Sequence, residues 1–223
     1  MKTIAERFES VYQAIRAHAD QSVIELLAVS KRHPAEAVRQ AYALGQRHFG
    51  ENYAQEGVQK IIDLADLKDT QWHFIGPLQS NKTRQIAEHF DWVQSVDREK
   101  IAQRLNQQRP AQLPPLNICL QVNISQEAQK SGADEQQLLA LAATVNALPQ
   151  LTLRGLMCIG SATNDVVVKQ QEFTAMQQLL VKLQQRFDTV DTLSMGMSGD
   201  WQQAVTAGAT MIRLGTALFG NRE

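Results

Sequence analysis

An α/β chain closed into a single (β/α)8 barrel, with one extra helix in front, is the fold this sequence predicts. Three observations carry the expectation. Short β-type runs alternate with longer amphipathic stretches from one end of the 223 residues to the other. Those runs number eight, the count at which a parallel sheet closes with its helices outside. No glycine-rich dinucleotide fingerprint follows the first run, where the competing open, doubly wound nucleotide-binding sheet would carry one.

The amino terminus, MKTIAERFESVYQAI, is charged throughout and reads as an amphipathic helix over 4–19. An apolar run then gives the first strand, 25–30, which stops at Lys31; Pro34 opens a helix pattern over 34–44. The second strand, 47–50, leads through Glu51 and Asn52 into a helix over 52–65. The third, 72–75, alternates Trp72, His73 and Phe74, meets Gly76 and Pro77 in a constrained loop, and precedes a helix over 81–88. Strands at 92–96 and 117–122 bracket a helix over 98–108, and strands at 152–158 and 192–195 follow helices over 134–148 and 166–187. A helix over 200–207 and an eighth strand at 210–214 complete the repeat. With no Ser/Gly linker or low-complexity break, residues 1–223 are expected to form one domain, in which 1–20 is the helix before the first strand.

Composition narrows the function classes. The 22 basic and 23 acidic side chains leave a net charge of −1, so no global field draws nucleic acid or an anionic membrane, and any anion site must be local. No signal-peptide core and no stretch of about 18 uninterrupted apolar residues is present, which leads us to expect a soluble, cytoplasmic protein. Cys119 and Cys158 lie in apolar strand-like runs, read as buried thiols, and give no metal spacing. The near-neutral surface without an evident apolar stripe leads us to expect a monomer.

A barrel places function in the loops leaving the carboxyl ends of its strands. Lys31 stands at the first such end. It is either a strand-end lysine reaching solvent or an amine, ordinarily of pKa about 10.4, whose lone pair a desolvated site would free to hold an aldehyde. After strand seven, Ser194-Met-Gly-Met-Ser-Gly-Asp200 combines two flexible glycines, the Ser198 hydroxyl and a helix cap at Asp200 or Ser198; after strand eight, Gly215 and Thr216 repeat the theme. Either loop alone is an ordinary turn, but the pair, after strands seven and eight, is where barrels build phosphate sites. Arg213, within strand eight, shares a face with Met211 and Gly215; if that face is internal, its guanidinium needs a neighbouring carboxylate or a cofactor ring nitrogen as acceptor. His73 is a general base, a ring-stacking group or a satisfied core histidine. Asn52 binds a ligand or caps the helix that follows.

Taken together, Ala28-Val-Ser-Lys31, Phe49-Gly-Glu-Asn-Tyr53, Trp72-His-Phe-Ile-Gly-Pro-Leu-Gln-Ser-Asn-Lys82, Gln121-Val-Asn-Ile-Ser125, Lys130-Ser-Gly132, Arg154-Gly-Leu-Met157, Leu193-Ser-Met-Gly-Met-Ser198 and Ile212-Arg-Leu-Gly-Thr216 with Phe219-Gly220 closely resemble the pyridoxal phosphate homeostasis protein family. The likeness covers nearly the whole chain after the first helix. It implies a barrel like the amino-terminal domain of alanine racemase, of fold type III, carrying pyridoxal 5′-phosphate (PLP) as a Schiff base on Lys31. By the same likeness Ser198, Gly215 and Thr216 bind the phosphate, Arg213 faces the pyridine nitrogen, and Asn52 and Met195 line the ring. An arginine there, always protonated, disfavours a protonated ring nitrogen and leaves a weaker electron sink.

The resemblance further implies a non-catalytic role in carrying and buffering PLP, and so in vitamin B6 and, indirectly, amino-acid homeostasis, with transient contacts to PLP-requiring apoenzymes. A PLP-dependent amino-acid racemase of low activity is the alternative, and a phosphate-ligand barrel that makes Lys31 incidental is a third. Racemases of similar fold add a β-rich domain and a tyrosine acid/base from across a dimer; this chain has no such segment after Phe219. Two departures from the family pattern stand out: Arg32-His33 replaces a lysine two positions after Lys31, and the tail after Gly220 is short. Lys130 is either a second aldehyde acceptor or a solvated surface lysine.

Overall fold

In a computed structural model, which describes residues 2–18, 24–125, 127 and 131–221, eight strands close into a parallel barrel in the order β1-β2-β3-β4-β5-β6-β7-β8. Helix α1 (Ile4–His18) precedes β1 (Glu25–Val29). There follow α2 (Ala35–Ala43), β2 (His48–Glu51), α3 (Ala54–Asp63), β3 (Gln71–Phe74), α4 (Thr83–His89), β4 (Trp92–Val96), α5 (Glu99–Gln108) and β5 (Leu116–Val122). The second half holds α6 (Glu135–Asn146), β6 (Leu151–Cys158), α7 (Val166–Gln184), β7 (Thr192–Ser194), α8 (Trp201–Thr206), β8 (Met211–Leu214) and α9 (Thr216–Phe219). The expected barrel is therefore present, with α1 as its extra helix.

Every expected element has a counterpart, and the differences are local. Helices begin one or two residues later where the sequence pattern includes the capping residue, as at Asp134, whose carboxylate accepts the Gln137 N–H. The four-residue α9 is too short to show a hydrophobic period, so periodicity misses it. Ala19, Asp20 and Lys130 lie outside the described residues.

Strand alternation sorts the side chains into two shells. One shell, with Phe49, Phe74, Leu120, Leu156, Leu193 and Leu214 among its members, packs the strands against the helices. The other fills the barrel itself, where Trp92, Cys119 and Met157 make an apolar cluster beside the polar His73, Gln94, Ser194 and Arg213. At the β5–β6 seam the register slips between Ile118 and Cys119, and Gly155 (φ +154°) takes up the bulge. A Cβ at Gly155 would sit 1.8 Å from the Thr192 carbonyl oxygen, so only glycine lets β7 close against β6 here.

Candidate functional site

At the carboxyl ends of the strands a cavity of about 190 Å³ is bordered by Lys31, Asn52, Ser198, Arg213, Gly215 and Thr216. These residues come from four separate strand ends, after β1, β2 and β7 and in and after β8, and the closed barrel is what brings them together. Ile75, Met157, Ile159 and Met197 supply apolar wall. Met195 does not border this cavity: its side chain is fully buried in the shell between strands and helices, and Met197 takes the wall position two residues on.

Lys31 follows β1 in a turn whose next residue, Arg32, has φ +62°, a left-handed conformation that costs a non-glycine residue energy. Buried charges hold that turn. The Arg32 N–H donates to Glu56 Oε1, and Lys60 Nζ donates to Glu56 Oε1, Glu51 Oε1 and the Ser30 carbonyl, each at 2.7 Å. Ser30 Oγ adds a fifth contact, 2.7 Å to Glu51 Oε1. Burial raises the Glu51 pKa, and the Lys60 ammonium offsets only part of that rise. Sequence reasoning missed this network, whose sole signal is the spacing of Glu56 and Lys60 on one face of α3.

Arg213 resolves an ambiguity left by the sequence. Its Nη1 donates to Ser194 Oγ and its Nη2 to the Cys158 carbonyl, both at 2.8 Å, and among the described residues it forms no ion pair with a carboxylate. Burial lowers its pKa, yet a guanidinium starts so high that it stays protonated. A buried cation without a carboxylate partner thus stands on the cavity wall, where an acceptor from a ligand would satisfy it.

The loops after β7 and β8 meet at the same cavity, and α9 begins there at Thr216; the Leu218 and Phe219 N–H groups donate to the Gly215 carbonyl, while those of Thr216 and Ala217 lie ahead of the first helical carbonyl. Asp200 occupies the helix-cap position of α8 but does not cap it. Its Oδ1 instead accepts the Met197 N–H at 2.7 Å, and Lys169 of α7 holds Oδ2 at 3.3 Å, so the carboxylate braces the loop. Asn52 does not cap α3 either; Tyr53 is at that position, and Asn52 Oδ1 is buried with no hydrogen-bond partner among the described residues. A hydroxyl or amine of a bound ligand is what such an orphaned acceptor lacks.

His73 is a satisfied core histidine. It is fully buried, bonded on one side to His48 and on the other to Gln94, each at 2.9 Å, and stacked on Trp92 at 5.0 Å. Burial holds its pKa well below 6.5. Cys119, whose thiol burial pushes up to about 12, and Cys158 are both buried thiols outside any disulfide, as the sequence led us to expect. A second chamber of about 180 Å³, bordered by Gln121, Asn123 and Ser131, adjoins the first across Asn52, Ile75 and Ile159. No helix among the described residues is long and apolar enough to cross a membrane.

Comparison with known proteins agrees with this fold. The family model for the alanine racemase N-terminal domain matches residues 5–223. A pyridoxal phosphate homeostasis protein of Pseudomonas aeruginosa is 55% identical over 228 residues, spanning 100% of this chain and 97% of the relative. PipY of Synechococcus elongatus, solved with and without PLP, is 43% identical, with TM-scores of 0.86 and 0.89; the match covers 98% of this chain and 100% of PipY. Alanine racemase from Corynebacterium glutamicum shares the fold at 15% identity and a TM-score of 0.76, over 98% of this chain but 61% of the racemase.

Proposed function

Because the chain belongs to the alanine racemase N-terminal domain family and, within it, to the pyridoxal phosphate homeostasis proteins, we propose that it binds PLP at this cavity and carries it without catalysis. The observation that carries the reading is the convergence of Lys31, Arg213 and the two loops after β7 and β8 on one cavity. When bound, PLP supplies an aldehyde that condenses with amines and a ring that delocalises charge. Lys31 Nζ is the amine for that aldehyde. Ser198, Gly215 and Thr216 hold the phosphate, Arg213 donates toward the ring nitrogen, and Asn52 Oδ1 accepts from the ligand's remaining donor. Met195 supports the wall from behind, and Met197 faces the ring.

Non-catalysis is supported by the chemistry of the wall. Racemisation needs a second proton-transfer group opposite Lys31, and among the described residues bordering the cavity none is Asp, Glu, His, Cys or Tyr. Arg213 also withholds the proton that would make the ring a strong electron sink. We further propose that 1–223 acts as one domain, as a monomer in the cytoplasm, and that it meets PLP-requiring apoenzymes only transiently.

The test is the absorption spectrum of the purified protein with PLP, before and after borohydride reduction, followed by peptide mapping. We expect a visible band that reduction converts into a pyridoxyl group on Lys31, absent in Lys31→Ala. A protein that stays colourless with added PLP overturns the assignment. Exchange of amino-acid α-protons at enzymatic rates, lost in Lys31→Ala, would establish the racemase instead.

A further inference from the structure

Beneath the cavity a run of side-chain contacts crosses the barrel from Arg213 to the opposite mouth. Arg213 Nη1 lies 2.8 Å from Ser194 Oγ, Ser194 Oγ 2.6 Å from Gln94 Oε1, and Gln94 Nε2 2.9 Å from His73 Nδ1. His73 Nε2 then lies 2.9 Å from His48 Nδ1, and His48 Nε2 faces Glu25 Oε2 at 3.6 Å. The first four residues are buried, whereas the Glu25 side chain is 45% exposed at the amino-terminal ends of the strands.

The two ends fix the direction of everything between them. A guanidinium can only donate and an ionised carboxylate can only accept. Ser194 receives from Arg213, so its own proton goes to Gln94 Oε1. The Gln94 amide group then faces His73 Nδ1 and the Met211 sulfur 3.1 Å away, which leaves Nδ1 without a proton and puts the His73 proton on Nε2. His48 accepts at Nδ1 and presents Nε2–H to Glu25. Reversing Gln94 would aim two donors at Ser194 and leave the serine proton without an acceptor. A proton added to His73 Nδ1 would meet the Gln94 N–H directly.

We propose that Ser194, Gln94 and His73 are positioning residues for Arg213, joined in one donor direction, so that an acceptor bound against Arg213 and the proton arrangement at the Glu25–His48 mouth are coupled. The inference rests on the PLP reading of the cavity. Coupling of this kind is reciprocal: a ligand that draws on Arg213 polarises the run down to the histidines, and a proton that reverses Gln94 loosens Arg213. The charged and titratable groups facing the lower end are Tyr12 of α1, Arg47 before β2, Arg154 of β6 and Glu25 itself. Nothing in the sequence marks this run, because its six members lie on six different strands.

Imidazole 15N spectra of the full-length protein, recorded near neutral pH with and without PLP, test the proposal. We expect His48 and His73 both neutral with the proton on Nε2, and His73 resonances that move when PLP binds. In Ser194→Ala the His73 response should vanish and PLP binding weaken roughly tenfold or more, the usual scale for a lost hydrogen bond to a charge, with the hydroxyl-bearing Ser194→Thr restoring both. A His73 proton on Nδ1, an imidazolium, or a His73 indifferent to PLP that does bind overturns the inference. Should Ser194→Ala fail to fold, the spectra of the unsubstituted protein decide alone. Failure to bind PLP at all sinks the proposed function instead, and the tautomers of the free protein still decide the direction of the run.

Discussion

Lys60 shows how one side chain can set the geometry of another. It reaches from α3 to the end of β1 and ties Ser30, Glu51 and Glu56 together beneath Lys31. With Glu51 fully buried and the Lys60 side chain only 7% exposed, removing the cation leaves a carboxylate that must either stay charged without a partner or take up a proton. Lys60→Met should therefore destabilise the protein by about 3–5 kcal/mol, measurable by urea unfolding near neutral pH. A double substitution that also removes the charge, Glu51→Gln with Lys60→Met, should recover part of the loss. The sequence made Lys31 legible because it ends an apolar run. It hid Lys60, since a lysine in an amphipathic helix ordinarily faces water.

Among the elements, the strands were the easiest to read and the loops the hardest. Alternation of β-type and helical periods reveals the barrel because each strand must bury both faces and each helix one. Site geometry was legible only as far as a strand end implies a loop. Asn52 and Asp200 read as helix caps yet cap neither helix: Asp200 is drawn to the Met197 N–H and Lys169, since capping is a local preference that tertiary contacts override, and Asn52 Oδ1 is left without a partner among the described residues. Gly155 is a comparable case: a glycine in a strand signals a bulge or close approach without saying which. Here it is both, and Gly155→Ala should prise β7 from β6 and cost several kcal/mol, on the scale of a strained backbone with added overpacking. A lowered thermal midpoint, with weaker PLP binding through displacement of Ser194 and its neighbours, is the expected result.

For the molecule as a whole, the buried histidines make stability depend on pH. Burial lowers the His48 pKa from 6.5 to about 4, and lowers that of His73 well below 6.5 for the same reason. Between the folded and unfolded values the unfolded chain binds more protons, so stability is complete above about pH 6.5 and declines as the pH falls toward 4. For His48 alone the full loss is about 3 kcal/mol, in place below its folded pKa. The Glu25 carboxyl, raised by burial, runs in the opposite sense, so the effect is best read as a difference. Denaturant unfolding of the native protein and His48→Gln at pH 7 and at about pH 4.5 should show the variant losing less on acidification.

The run from Arg213 to Glu25 also bears on how such a chain can drift over generations. A single replacement in its middle would leave one neighbour with an unanswered proton and the other with an unanswered lone pair, deep in the barrel. Change along this axis is therefore expected to proceed in blocks, several positions turning over together or none at all. The apolar shell outside the strands has no such grammar, and it is free to vary one methyl group at a time.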